Sequence, residues 1–130
     1  MYTATTRAIR VTVRPQYVPD QSDPGKSQYV WAYHVRIENR GDVAVQLRSR
    51  HWKITDGLGR RQEVKGPGVI GKTPLLRPGE MFEYTSGTPL STPSGFMGGT
   101  YQMVSESGEK FDIEIPTFSL DTPASQRQVN

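Results

Sequence analysis

A chain of 130 residues carrying 22% charged residues and a formal charge of +3 has the length of one domain and too little net charge for disorder throughout. It has no cysteine, which removes disulfides, thiolate metal sites and cysteine nucleophiles together. Thirteen glycines and ten prolines punctuate it too densely for long helices, and no apolar run approaches the ~18 residues of a membrane span, so coiled coils and membrane helices are excluded.

Ile9, Val11 and Val13 alternate with Arg10, Thr12 and Arg14, the two-residue period of a half-buried strand, here ending at Pro15. From Tyr17 to Lys26 turn formers without a period predict a surface loop. Tyr29, Trp31, Tyr33, Val35 and Ile37 give the clearest alternation and predict a central strand. Asn39-Arg40-Gly41-Asp42 reads as a turn, and Val43, Val45 and Leu47 resume the alternation, so the two runs are expected to pair as a hairpin. Trp52 and Ile54 lead through Asp56-Gly57-Leu58-Gly59 into Arg61 to Val64, a second hairpin.

Gly66 to Pro78 reads as loop by composition. Phe82 and Tyr84 share one face of a short strand, and Thr85 to Gly99, rich in Thr, Ser, Pro and Gly, reads as a second long loop anchored by Leu90, Phe96 and Met97. Tyr101 and Met103, then Phe111, Ile113 and Ile115, form a closing hairpin around Ser107-Gly108, with Thr117 to Leu120 as an extension. Seven to eight short strands with turns every eight to twelve residues predict an all-β antiparallel sandwich, one face of each sheet packed inward. The whole reads as one domain over 1–125 with a polar tail at 126–130 that should fray.

The segment Gly66-Pro-Gly68-Val-Ile-Gly71-Lys72-Thr73 satisfies both the dinucleotide fingerprint and the P-loop pattern. Both patterns need a helix after the glycines, because the helix N-terminus completes the phosphate site. Pro74 and Pro78 leave no room for one. What remains is a helix-free nest, with Gly66, Gly68 and Gly71 as backbone donors and Lys65 and Lys72 as charges, that could take phosphate or pyrophosphate. The residues between Arg48 and Lys72 carry seven bases against two acids, and those between Glu80 and Asp121 carry seven acids against one base. Strand alternation would put Arg48 and Arg50 on one face. With Trp52 as the only aromatic among them, the basic stretch does not read as a nucleic-acid surface. His34 and His51 lack metal-ligand spacing, and no nucleophile elbow is present. No enzyme, no metal site and no cofactor is expected.

The runs YHVRIENRGDVAVQLRSRHWKITDGLGR (Tyr33 to Arg60), EVKGPGVIGKTPLLRPGEMFEYTSGTPLSTPSGFMGGTYQM (Glu63 to Met103) and FDIEIPTFSL (Phe111 to Leu120) resemble the bacterial ApaG family. The likeness rests on ordered motifs: SRHW at Ser49 to Trp52, the glycine segment, PGE at Pro78 to Glu80 and YTSG at Tyr84 to Gly87. It implies a fibronectin type III-like sandwich, a cytoplasmic location, a protein-interaction role and a link to divalent cation (cobalt and magnesium) homeostasis. The glycine motif of the family, suggested to bind pyrophosphate, falls on Gly66, Gly68 and Gly71, followed here by Lys72-Thr73 where the resemblance leads one to expect Glu-Gln. The expected function is therefore a non-enzymatic binding domain with an unidentified protein partner, contacted through Phe96 and Met97 or the glycine loop. An exposed edge strand would also permit a homodimer. The rival is a sensor of pyrophosphate or a nucleotide-derived phosphate compound.

Overall fold

A computed structural model of the chain describes residues 1–123; the expected frayed tail at 126–130 lies outside them. Among the described residues nine strands build two antiparallel sheets: β1 (Tyr2–Thr6), β2 (Ile9–Tyr17), β3 (Tyr29–Asn39), β4 (Val45–Asp56), β5 (Arg61–Pro67), β6 (Leu75–Leu76), β7 (Met81–Leu90), β8 (Ser94–Ser105) and β9 (Lys110–Asp121). The first sheet runs β1-β2-β3-β7 and the second β5-β4-β8-β9, with β6 added beside β4. An all-β sandwich is what the alternation requires, because each sheet has one apolar face and must cover it.

That face is explicit in β3, where Trp31, Tyr33, Val35 and Ile37 are all buried. They meet Leu47, Trp52 and Ile54 of β4, Met97, Tyr101 and Met103 of β8, and Ile113, Ile115, Phe118 and Leu120 of β9 in one core. Trp52 lies at its centre, with its ring 5.2 Å from Tyr33, 6.2 Å from Tyr101 and 6.1 Å from Phe118. Each such pair adds about 0.5–1.5 kcal/mol beyond the area it buries. The Trp31 indole N–H, which would otherwise be an unpaired donor, reaches the Asp121 carbonyl at 3.0 Å.

Four readings of the sequence are corrected here. The first strand does not stop at Pro15: β2 continues to Tyr17 opposite β3. Its pairing with β1 ends at Val13, so the proline lies where β2 has an open edge, and a residue without an N–H is tolerated there. β3 and β4 do not form a hairpin, since they belong to different sheets. Asn39 fastens the crossover: its side-chain amide donates to the carbonyls of Val43 (2.8 Å) and Leu76 (2.9 Å), and its Oδ1 accepts from Gly41 N–H at 3.0 Å. Thr85 to Gly99 is not a loop but the end of β7 and the start of β8, with only Ser91 to Pro93 changing sheets. The small residues there are packing features: a Cβ on Gly95 would strike the Thr55 carbonyl and one on Gly99 the His51 carbonyl. Finally, Arg48 and Arg50 do not share a face, because the β4–β8 register slips between Leu47 and Ser49.

The two long sides of the sandwich differ. On one, β1 and β2 close against β9, with the Tyr2 and Phe118 rings 6.1 Å apart and Glu114 N–H donating to Thr6 Oγ1 at 3.1 Å. On the other, among the described residues, β5 pairs only with β4 and β7 only with β3. Both edges are free, and the space between them stays open.

Candidate functional site: the open side of the sandwich

The glycine segment lies at one end of this open side. β5 carries Gly66 and Pro67, and the chain then closes a two-residue hairpin turn in which Val69 and Lys72 exchange both backbone bonds, 2.8 and 2.9 Å. Ile70 (φ 44) and Gly71 (φ 77) at its tip are both left-handed, as a type I′ turn demands. Each glycine answers a different constraint. Gly66 packs against the face of the Arg50 guanidinium, which leaves little room for a Cβ. Gly68 combines φ 60 with a Cβ direction that runs into the Lys72 carbonyl. Gly71 has open space around it and needs only its positive φ.

Several amides of the segment that the nest reading would turn toward a ligand are already committed. Gly68 N–H donates to the Arg48 carbonyl at 2.8 Å, and those of Val69 and Lys72 serve the turn. The predicted charges are not gathered either. Lys65 pairs with His51 on the outer face, where His51 Nε2 lies 2.7 Å from Glu63 Oε1, while Lys72 is exposed at the base of the turn. Of the predicted contact pair, Met97 is 1% exposed and belongs to the core, whereas Phe96 is 48% exposed on the outer face of the second sheet. Two successive strand residues point to opposite faces, so the pair cannot act as one patch.

The arginine that the structure brings inward is Arg50. The bulge inserts Arg48 after the buried Leu47 and shifts the phase, so that Arg50, Trp52 and Ile54 face the first sheet. Arg50 stands opposite Tyr101, whose side chain is fully buried. Its Nη1 donates to the carbonyls of Pro67 and Gly68, both at 2.9 Å, clasping the glycine turn to β4. Between the sheets this leaves a cleft of about 350 Å³ walled by Tyr33, Arg50, Val64, Tyr84, Ser86 and Thr88, with Ile70 at its lip. A second hollow of about 540 Å³, bordered by Tyr29, Arg60 and Leu90, shares Ile54, Gln62 and Pro89 with the first. Together they form one groove along the free edges of β5 and β7.

Burial sets the protonation of the cleft. It raises the Tyr33 phenol, opposed by the hydroxyl of Ser86 opposite it and by the Arg50 charge. It also pushes Tyr84 and Tyr101 far above the ordinary phenol value. Their hydroxyls share a short hydrogen bond that links the two sheets at the floor of the cleft. At the far end of the groove, desolvation raises the Asp56 carboxyl. Hydrogen bonds from the Arg60 backbone and guanidinium and from Leu58 N–H outweigh it, so the group sits below its ordinary value. Among the described residues no cluster of three His, Asp or Glu forms a metal-binding arrangement, and no helix is long and apolar enough to cross a membrane.

Comparison with known proteins matches residues 19–105 to the ApaG domain family. The chain is 63% identical to the ApaG protein of Rhodospirillum centenum and 62% identical to that of Bradyrhizobium diazoefficiens, in each case over 130 residues and the whole of both chains. Its fold superposes on the crystal structure of an ApaA protein from Bordetella pertussis with a TM-score of 0.86, at 57% identity over 88% of this chain and 94% of that one. A second X-ray structure, at 45% identity, gives a TM-score of 0.85 over 93% and 92% of the two chains.

Proposed function

The chain belongs to the ApaG domain family, and from that premise we propose that it is a non-enzymatic binding domain that takes an extended segment of a protein partner into the groove between β5 and β7. The observation that carries this reading is the groove itself, a cleft of mixed apolar and polar lining bordered by two strands whose outer edges pair with no other strand among the described residues. Such an edge offers main-chain bonds for affinity, and the cleft beside it offers pockets for alternate side chains. The groove-facing positions Tyr84, Ser86, Thr88 and Leu90 span seven residues, about 20 Å of strand, which fits about six residues of an extended ligand.

Ile70 supports the same reading. A β-branched residue held at φ 44 costs about 1–2 kcal/mol that Asn or Gly would avoid, and its side chain is 54% exposed at the lip of the groove. A phosphate-binding role for Lys65, Gly66, Gly68, Gly71 and Lys72 is the weaker reading, because the Gly68 amide already bonds to the Arg48 carbonyl and those of Val69 and Lys72 close the turn. The link to cobalt and magnesium homeostasis that the resemblance implies runs, in this proposal, through the partner.

A photo-crosslinking residue at Gln62, on the groove wall, tests the proposal against one at Thr12, on the outer face of the first sheet. The expected result is a cross-link from Gln62, absent from Thr12, to one extended segment of one protein, lost when Ser86→Trp fills the cleft. Cross-links that arise equally from both positions, that ignore Ser86→Trp, or that return only to a second copy of this chain would overturn it.

A further inference from the structure

The groove holds a cation without a matching anion. Arg50 is turned inward by the bulge, and among the described residues no carboxylate forms an ion pair with it. Its only side-chain hydrogen bonds run from Nη1 to two neutral carbonyls, so Nε and Nη2 remain undedicated. The acid nearest in kind, Asp56 at the other end of the groove, is held by the Arg60 guanidinium at 2.7 Å. Glu63 lies on the outer face with His51. The phenols beside Arg50 offer no counter-charge, since burial keeps Tyr33, Tyr84 and Tyr101 protonated, and the last two are satisfied by each other.

The unbonded Nε and Nη2 of Arg50 are reachable from the cleft, and the planar fork of a guanidinium matches a carboxylate in two parallel bonds. Resting on the groove reading above, we infer that Arg50 is a carboxylate subsite: it receives an acidic group of the partner's extended segment, with the hydrogen-bonded hydroxyl pair of Tyr33 and Ser86 on the opposite wall as one further donor. Arg50 then has two roles, a structural one through Nη1 on the glycine turn and a recognition one through the rest of the fork. Gly66 serves both, because a bare backbone lets the guanidinium lie flat between turn and cleft. The carboxylate can come from an Asp or Glu side chain or from a chain terminus; the chemistry at Arg50 is the same.

The test uses the full chain, labelled with nitrogen-15, and three hexapeptide probes of alternating Val and Thr. One bears a central Glu with both ends blocked, one bears Gln instead, and one has no acidic side chain but a free C-terminus. Binding of the Glu or free-acid probe should shift the Arg50 Nε–H resonance and the amides of Gly66, Ser86 and Gly87. The Gln probe should bind at least tenfold more weakly than the Glu probe, and whichever acidic probe binds better identifies the source of the carboxylate. Arg50→Gln should abolish the preference for acid. Because that change also loosens the turn, Ser86→Ala and Tyr33→Phe, which leave the Nη1 clasp in place, should each weaken the acidic probe three- to tenfold while leaving the Gln probe unchanged. Equal binding of the Glu and Gln probes, or shifts confined to Lys65 and Lys72 that survive Arg50→Gln, would overturn the subsite. Such a result alongside an intact Gln62 cross-link removes the carboxylate inference alone, and loss of that cross-link removes the groove reading with it.

Discussion

Gly68→Ala and Gly71→Ala change the same motif in the same way, yet the structure assigns them different costs. Both glycines hold positive φ, 60 and 77, so alanine at either pays the left-handed penalty of about 1 kcal/mol. At Gly71 nothing else is in the way. At Gly68 the new methyl runs into the Lys72 carbonyl, which is fixed by its own bond from Val69 N–H at 2.8 Å. Overpacking against fixed backbone adds about 1–3 kcal/mol. For a chain of 130 residues, 1 kcal/mol moves Tm by about 4 °C. Gly71→Ala should therefore lower Tm by about 4 °C and Gly68→Ala by about 8–16 °C, as read by differential scanning calorimetry under identical buffer. Gly66→Ala should fall nearer Gly71→Ala, because the atoms it meets belong to the Arg50 side chain, which can move. A Gly68→Ala transition within about 2 °C of Gly71→Ala would refute the assignment of this turn to packing and return the glycines to a ligand-binding role.

Asn39→Ala should destabilise by about 1–3 kcal/mol, because it strands the Leu76 carbonyl in the interior and removes the part-buried bonds to the Val43 carbonyl and the Gly41 amide; chemical denaturation measures this, and a loss below about 0.5 kcal/mol would contradict the clasp. At alkaline pH the three phenols whose values are raised in the fold contribute stability that is complete below the unfolded value of about 10 and is lost as pH rises through their folded values. Tyr33, Tyr84 and Tyr101 should therefore ionise only in a cooperative step above pH 10 that coincides with loss of the fold. Phenolate absorbance at 295 nm followed alongside far-ultraviolet circular dichroism checks this, and ionisation of all six tyrosines with the fold intact would refute it.

What was legible in the sequence follows a local rule. Ile9 to Val13, Tyr29 to Ile37 and Phe111 to Ile115 alternate because one face of each strand is buried, and each proves to be a strand. Asp56-Gly57-Leu58-Gly59 and Ser107-Gly108 proved to join paired neighbours, β4 with β5 and β8 with β9. β1 was not visible, since Tyr2 to Thr6 has no apolar alternation and is held by its pairing with β2. β7 and β8 were hidden where small residues replace large ones, because close approach of backbones calls for the same glycines that mark loops. The candidate site is legible only in part: the glycines are where the motif places them, but Met97 lies in the core, Lys65 faces outward, and no sequence motif marks Arg50, Tyr33 or Ser86 as neighbours.

The sequence by itself determined that this chain is all-β, because a two-residue period repeated between turn formers gives each strand one apolar face that must be covered by other strands, as in a sandwich. Only the tertiary structure decided which strands pair, which side of the sandwich stays open and which arginine enters it. Pairing depends on what each face meets across the layer. The facing of Arg50 hangs on a single extra residue at Arg48, which resets the phase of every position after it without changing the composition of the strand.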